Sequence, residues 1–290
     1  MSLIWLRLDI IMENKRILVT GHRGYIGSHL FRELRNNPNY EVCGIDLKEG
    51  DDILHCLPEK EFDCVFHLAA LPRVEYSVEN PFYTMKQNVL ATSKLLEWSR
   101  GHGVKTFIFS SSSALYGEGS GPKSPYGLHK LISEMECELY QKLYGLQCVS
   151  LRYFNVYSED QEYGGSYSTV ISAWMQMIRE NKALRIDGDG HQTRDFVHVK
   201  DVVSANIWCM ENIETLHKPW YDVGYGNTCS LNDIKRIVDR NLSVSWVYAP
   251  HRPGDVRHTE IGEQRLQTTG WSPRIDLVSG FESCFRKKRE

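Results

Sequence analysis

The run TGHRGYIG, Thr20 to Gly27, constrains this chain more than any other stretch of it. It follows RILVT (Arg16 to Thr20), a short apolar, β-branched run that reads as a strand, and it leads into Ile26, Leu30, Phe31 and Leu34 at helical spacing. In such a strand–turn–helix unit Gly21 permits the tight turn, Gly24 lets a phosphate approach the backbone, and Gly27 lets the helix lie on the strand. The helix start, with Tyr25 and Ile26 in its first turn, offers free N–H groups and a positive dipole end to an anion. The expected ligand is the pyrophosphate of a dinucleotide, held by Gly21, Gly24, Tyr25, Ile26 and Gly27. The bland alternative is a glycine turn that binds nothing.

Further strands are expected at Val42 to Asp46, Cys64 to Ala69, Thr106 to Ser110 and Cys148 to Phe154, alternating with helical patterns. The pattern predicts an α/β fold: a Rossmann-type, doubly wound parallel sheet over 14–157, with a smaller α/β lobe over 158–290. The chain is expected to return to the first unit around 194–225. Residues 1–13 read as a leader or an appended extension: Arg7, Asp9 and Glu13 break their apolar character, and no small-residue cleavage site follows. Asp46 ends the second strand, where a carboxylate would bond the adenosine ribose and repel a 2′-phosphate, which favours NAD. Arg23 and Lys48 nearby argue the other way. Asp52 and Ile53 are candidates to reach the adenine.

A second motif adds chemistry. YGLHK places Tyr126 and Lys130 four residues apart, on one face of a helix that Pro125 opens. A free phenol titrates near ~10 and is a poor base at neutral pH. A neighbouring ammonium favours the phenolate. The alternative is an exposed Tyr and Lys on a helix face. What argues against it is FSSSSALYG (Phe109 to Gly117), which ends a strand at its carboxyl end, where α/β sheets bind ligands. On spacing alone any of Ser110 to Ser113 could hydrogen-bond a reacting oxygen. A dinucleotide site with a Tyr/Lys pair implies hydride chemistry at a hydroxyl or carbonyl carbon.

Taken together, these residues resemble the extended short-chain dehydrogenase/reductase family, in the branch that acts on nucleotide sugars. TGHRGYIG matches its TGxxGxxG. HLAA (His67 to Ala70) matches its HxAA strand beside the cofactor, adding Leu68, Ala69 and Ala70 to the expected cofactor contacts. SVENP (Ser77 to Pro81), Asn88, FSSSSALYG, YGLHK, LRYFNVYS, TRDFVHVKDV and HRPGDVRH follow in the family's order. The resemblance implies Tyr126 as base, Lys130 as its partner and Ser112 as the hydroxyl residue. Relatives that eliminate water or decarboxylate carry acids just before the YG, in strings such as TDEVYG; here Ser113 and Ala114 stand there. The chain therefore looks like a 4-epimerase of the UDP-galactose or UDP-N-acetylglucosamine kind, working through a 4-keto sugar with bound NAD. By the same resemblance Asn155 lies near the diphosphate, Arg194 and Arg252 pair with its charge, and Asp255 holds the uridine ribose. Thr259, small where a bulky Tyr excludes an N-acetyl group, implies tolerance of N-acetylated sugars. Between Tyr116-Gly117 and Tyr126 lies only EGSGPKSP, shorter than is usual in these epimerases. The rival readings are a nucleotide-sugar reductase on the same scaffold and a non-catalytic cofactor-binding protein.

Composition removes other classes. With 34 Lys+Arg against 37 Asp+Glu and a net charge of -3, nothing drives nucleic-acid binding. No apolar run approaches the roughly 20 residues of a membrane span. The eight cysteines show neither CxxC nor Cys/His ligand spacing. They read as small hydrophobes in a reducing compartment, which favours the cytoplasm and excludes a metal site. Met135, Leu139 and Leu143 form an apolar stripe that would serve a homodimer through Pro81 to His102 and Pro125 to Tyr144, or pack against the sheet instead.

Overall fold

The computed structural model describes residues 14–164, 169–251 and 257–286. The chain opens with β1 (Lys15–Thr20), whose last four residues are buried. The glycine turn then leads into α1 (Tyr25–Arg35), which buries Leu30 and Leu34. β2 (Tyr40–Ile45) and β3 (Cys64–His67) flank β1, both parallel to it. Two short helices, α2 (Val74–Glu79) and α3 (Pro81–Met85), precede a π turn (Lys86–Leu90) that runs on into α4 (Ala91–Gly101). β4 (Thr106–Ser112) follows, then α5 (Pro125–Tyr144) and β5 (Gln147–Tyr153).

Beyond β5 the chain makes β6 (Asn155–Tyr157), α6 (Val170–Arg179), β7 (Leu184–Asp187) and β8 (Thr193–His198). α7 (Val199–Glu211) and β9 (Trp220–Val223) come next, before β10 (Thr228–Ser230), α8 (Leu231–Asn241), β11 (Trp246–Ala249), β12 (His258–Thr259) and α9 (Leu277–Phe285).

The main sheet is parallel and six-stranded, in the order β2-β1-β3-β4-β5-β9. Strand order reverses between β1 and β3, so the crevice for a ligand opens above the carboxyl ends of those two strands. Only Asp46 to Asp63 separate β2 from β3, and β2 is left as the edge strand. One core lies between this sheet and α1 with α7, built on Ile17, Val19, Phe66, Val149 and Val202. A second lies on the opposite face under α4 and α5, built on Leu18, Val65, Phe107, Leu95 and Cys137. Burial on both faces explains why these strands are apolar runs without alternation. A third core, around Tyr157, Trp174, Phe196 and Phe281, underlies a smaller sheet in which β6, β10 and β12 all pair with β8.

Three details differ from the sequence reading. The helix through Val89 and Trp98 is broken by the π turn, β3 ends at His67 instead of running to Ala69, and β4 continues to Ser112. Met135, Leu139 and Leu143 do not pack on the sheet: each is half exposed or more. All eight cysteines are free; Cys64, Cys137, Cys148 and Cys209 are buried as expected, whereas Cys56 is exposed.

Candidate active site

The glycine turn is built to lie close to its neighbours. Gly21 has φ +74°, and a Cβ there would come within 2.6 Å of the Ala69 nitrogen. A Cβ on Gly27 would sit 2.1 Å from the Gly21 carbonyl oxygen, so only glycine lets α1 start where it does. Gly24 is the N-cap of α1; it brings no capping side chain, and the first turn holds no acid. The first turn, with Ile26 and Gly27 following Tyr25, presents its backbone amides and positive dipole end to an anion. Asp46 is buried just beyond β2 and accepts the amides of Arg23 (2.8 Å) and Lys48 (2.9 Å), which ties the glycine turn to the neighbouring strand end.

On the other side of the crevice, Leu68, Ala69 and Ala70 follow β3. Their loop is held from beneath by a line of hydrogen bonds. The Ala69 amide donates to Thr20 Oγ1 (3.2 Å), Thr20 Oγ1 meets His67 Nδ1 (2.7 Å), His67 Nε2 meets Thr92 Oγ1 (2.9 Å), and Thr92 donates to the Asn88 carbonyl (2.6 Å). The Asn88 amide clamps Leu71 on both its N–H (2.7 Å) and its carbonyl (3.2 Å). Full burial pushes His67 down to about 3, so it is a neutral imidazole. Asp52 caps its own turn through Leu54 (2.9 Å), and Ile53 sends its side chain into the core, leaving its backbone as the part free to meet a base.

The residues of the Tyr/Lys pair lie together at the carboxyl end of β4. Tyr126 and Lys130 are both buried in the first turns of α5. Lys130 Nζ donates to the Ser110 carbonyl at 2.5 Å and lies 6.0 Å from the centre of the Tyr126 ring. Burial brings the Lys130 ammonium down to about 8, with Glu134 one turn along opposing the shift. Of the serine run, Ser110 gives its carbonyl to Lys130, and Ser111 is buried. Ser112 stands partly open at the strand end, where its Oγ accepts the Ala114 amide at 3.2 Å. The turn after it (Ser113–Leu115) touches α5 closely: a Cβ on Gly127 would meet the Ala114 carbonyl at 2.7 Å.

The remaining candidates fall on the smaller sheet. Asn155 donates its amide to the Asp195 carbonyl (3.0 Å), the local backbone role that its residue type allows. Arg194 and Thr259 are register partners across β8 and β12. Arg194 donates to the carbonyls of Thr193 (2.9 Å) and Arg257 (3.2 Å). The Thr259 hydroxyl is buried and has no hydrogen-bond partner among the described residues. Arg252 and Asp255 lie outside the described residues. The short loop after Gly117 reaches this sheet: Glu118, at φ +60°, accepts the Arg257 amide at 2.7 Å and the Lys123 ammonium at 3.0 Å.

A buried polar network went unread in the sequence. Glu134 holds Arg152 through two oxygens (2.9 and 2.6 Å), and Arg152 donates to the Tyr116 hydroxyl (2.8 Å) while lying 3.4 Å over the Trp220 ring. Tyr116 in turn donates to Asp222 (2.7 Å), which also accepts the Gly262 amide (2.9 Å). Burial raises Asp222 and pushes Tyr116 well above its usual range. The network joins α5, β5, the turn after β4, β9 and the segment after β12. Tyr116 sits in the YG and Arg152 in LRYFNVYS, which is the one signal that could have found them; Glu134 lies one turn beyond YGLHK, and Trp220, Asp222 and Gly262 fall in no motif read above. Among the described residues no cluster of His, Cys, Asp or Glu could hold a metal ion.

Known proteins share this fold. The family model for the NAD dependent epimerase/dehydratase family matches residues 17–224. A putative UDP-glucose 4-epimerase of Methanocaldococcus jannaschii is 34% identical, over 92% of this chain and 96% of that protein. Among solved structures, a UDP-N-acetylglucosamine 4-epimerase of Methanobrevibacter ruminantium M1, in complex with UDP-N-acetylmuramic acid, superposes with a TM-score of 0.83. It is 30% identical and covers 94% of this chain and 97% of its own. A UDP-glucuronic acid 4-epimerase of Bacillus cereus, with UDP-glucuronic acid and NAD, gives a TM-score of 0.79 at 30% identity, covering 93% and 98%.

Proposed function

Because the chain belongs to the NAD-dependent epimerase/dehydratase family, we propose that it interconverts the C4 epimers of a UDP-sugar, with Tyr126, Lys130 and Ser112 carrying the chemistry. The observation that carries this reading is the burial of Tyr126 and Lys130 side by side at the end of β4, across the crevice from the glycine turn. The glycine turn, the α1 amides and Asp46 fit the pyrophosphate and ribose of NAD. Bound there, NAD would supply reversible hydride transfer at C4.

Tyr126 takes the proton from the C4 hydroxyl and gives it back. Lys130, anchored on the Ser110 carbonyl, keeps positive charge beside the phenol and so favours the phenolate at neutral pH. Ser112, open at the strand end, orients the reacting oxygen. Ser113 and Ala114, where an acid would support elimination, offer no group able to exchange a proton, so the 4-keto sugar has no route but rotation and reduction. Residues 14–157, with α7 and β9 returning to their sheet, then serve the cofactor, and 158–290 serve the nucleotide sugar through Asn155, Arg194, Arg252, Asp255 and Thr259. The eight free thiols suit a reducing compartment such as the cytoplasm.

We also propose that two copies associate through α3, α4 and α5. Phe82 and Met85 on α3, Leu90 in the π turn, and Leu128, Met135, Leu139 and Leu143 on α5 are exposed, and exposed apolar side chains gathered in this way mark an interaction surface.

The test is to incubate the purified protein with UDP-N-acetylglucosamine and with UDP-glucose, adding no cofactor, and to resolve the C4 epimers by proton NMR. A 4-epimer from either is the expected result. None from either, with NAD supplied, would overturn the epimerase reading for these sugars.

A further inference from the structure

The end of β2 carries a charged knot that the reaction above does not use. Beside Asp46 the chain makes a single 3-10 turn, Leu47–Glu49, closed by Gly50 at φ +92°. Glu49 accepts Arg23 Nε at 2.5 Å on one carboxylate oxygen and pairs with His22 Nε2 at 3.1 Å on the other. Lys48 Nζ donates to the Arg23 carbonyl at 3.0 Å. Arg23 and Lys48 thus flank the place where a carboxylate at this strand end meets the adenosine ribose, while the His22 ring is buried against Phe31 and Gly44. Cations at that place are what a 2′-phosphate requires, because the phosphate carries between one and two negative charges and Arg binds it with two N–H groups.

Asp46 does not cancel them by itself. Its carboxylate is taken up by the backbone amides of Arg23 and Lys48 and not by their side chains, and one carboxylate against these two cations leaves a positive charge over. Glu49 brings that balance to zero and engages the guanidinium that would turn to a phosphate. We infer that Glu49 sets the cofactor choice, withholding Arg23 from a 2′-phosphate so that the site takes NAD and rejects NADP. The inference rests on the cofactor site described above and explains why Arg23 and Lys48, which point toward NADP in the sequence, do not decide the matter. The Arg23–Glu49 pair is 60% and 35% exposed, so it adds little to stability, and its removal acts on binding.

Purified protein is equilibrated with equimolar NAD and NADP and freed of unbound cofactor, and the retained dinucleotides are released by denaturation and quantified by chromatography. In Glu49→Ala and Glu49→Gln the ratio of retained NAD to NADP is expected to fall about tenfold, one charge's worth at this range in partly screened surroundings. Glu49→Asp, which keeps the charge, should stay near the wild-type ratio. A wild-type ratio in Ala and Gln variants that still retain NAD would overturn the role of Glu49. Wild-type protein retaining neither dinucleotide would overturn the cofactor site itself, and the inference with it.

Discussion

The backbone N–H of Tyr126 donates to Ser77 Oγ at 3.1 Å, and the same hydroxyl donates onward to the Val74 carbonyl at 2.6 Å. The first turn of a helix has amides with no partner inside the helix, and one of them, on the proposed base itself, is met by a side chain from α2. Ser77 is fully buried. The position of the phenol along the crevice is therefore set partly from a helix 49 residues away in the chain.

Ser77→Ala removes the acceptor that this buried amide uses, lowering stability by about 1–2 kcal/mol. The expected kinetic effect is a fall in kcat of roughly tenfold with KM little changed, since the base is displaced without touching the sugar's binding groups. Steady-state kinetics beside a thermal melt separates the two effects; a melt lowered with kcat intact would sink the positioning role.

Tyr126→Phe removes the proton-transfer group and leaves the ring. Activity should drop at least about 10²-fold, the usual size of a general-base contribution. NAD should still be retained, and chromatography of the cofactor released from the variant checks this.

Lys130→Met is expected to abolish activity and to stabilise the fold. The buried ammonium is held at about 8, against about 10.5 for a free lysine, a burial cost of roughly 3 kcal/mol offset in part by the bond to the Ser110 carbonyl. The sign follows from proton uptake: between about 8 and 10.5 the unfolded chain binds the proton more tightly, so wild-type stability rises with pH across that window. The advantage of Met should thus be full below about pH 8 and vanish toward 10.5. Urea unfolding of both proteins at pH 7, 9 and 10.5 would show it, and a gap that does not narrow would contradict it.

Gly127→Ala puts a methyl group 2.7 Å from the Ala114 carbonyl. The first turn of α5 must then move off the turn that follows Ser112, at a cost of about 1–3 kcal/mol. Kcat should fall with it while cofactor retention holds; normal kcat would mean that Ser112 and Tyr126 need not be held at a fixed spacing.

Glu118→Ala removes the link between the short rim loop and Arg257, next to Arg194. KM for the UDP-sugar is expected to rise several-fold, roughly the loss of one hydrogen bond to a charged group, with kcat steady. Glu118→Gln keeps an acceptor for the Arg257 amide and should recover most of the affinity. Equal KM values in all three proteins would show that the rim loop acts alone.

The parts of the molecule written locally were legible before any coordinates. Gly21 and Gly27 are forced by backbone contact within one turn, and Tyr126 and Lys130 by the pitch of one helix. Parallel strands buried on both faces announced themselves as apolar runs. What stayed hidden depends on partners far apart in sequence. Nothing near Tyr116 predicts that its hydroxyl will meet Asp222, 106 residues on, and a serine such as Ser77 looks alike whether it faces water or caps a catalytic helix. The π turn at Lys86–Leu90 is equally silent, and so is the grip of its Asn88 on Leu71, 17 residues back. For Met135, Leu139 and Leu143 periodicity showed that they share a face, and only the packed sheet showed that the face looks outward.

The line of hydrogen bonds under the Leu68–Ala70 loop has a polarity. Thr92 gives its only proton to Asn88, so it must receive one from His67 Nε2; Nδ1 is then bare and takes the proton of Thr20, which receives from Ala69. A single arrangement of protons satisfies every member, and a second proton on the imidazole would collide with it. With burial holding His67 down to about 3, that arrangement persists across the range around neutrality. Histidine, elsewhere the residue that answers to acidity near neutrality, works here as an insulator: it keeps the floor of the crevice indifferent to pH and leaves acid–base response to the Tyr126–Lys130 pair above it.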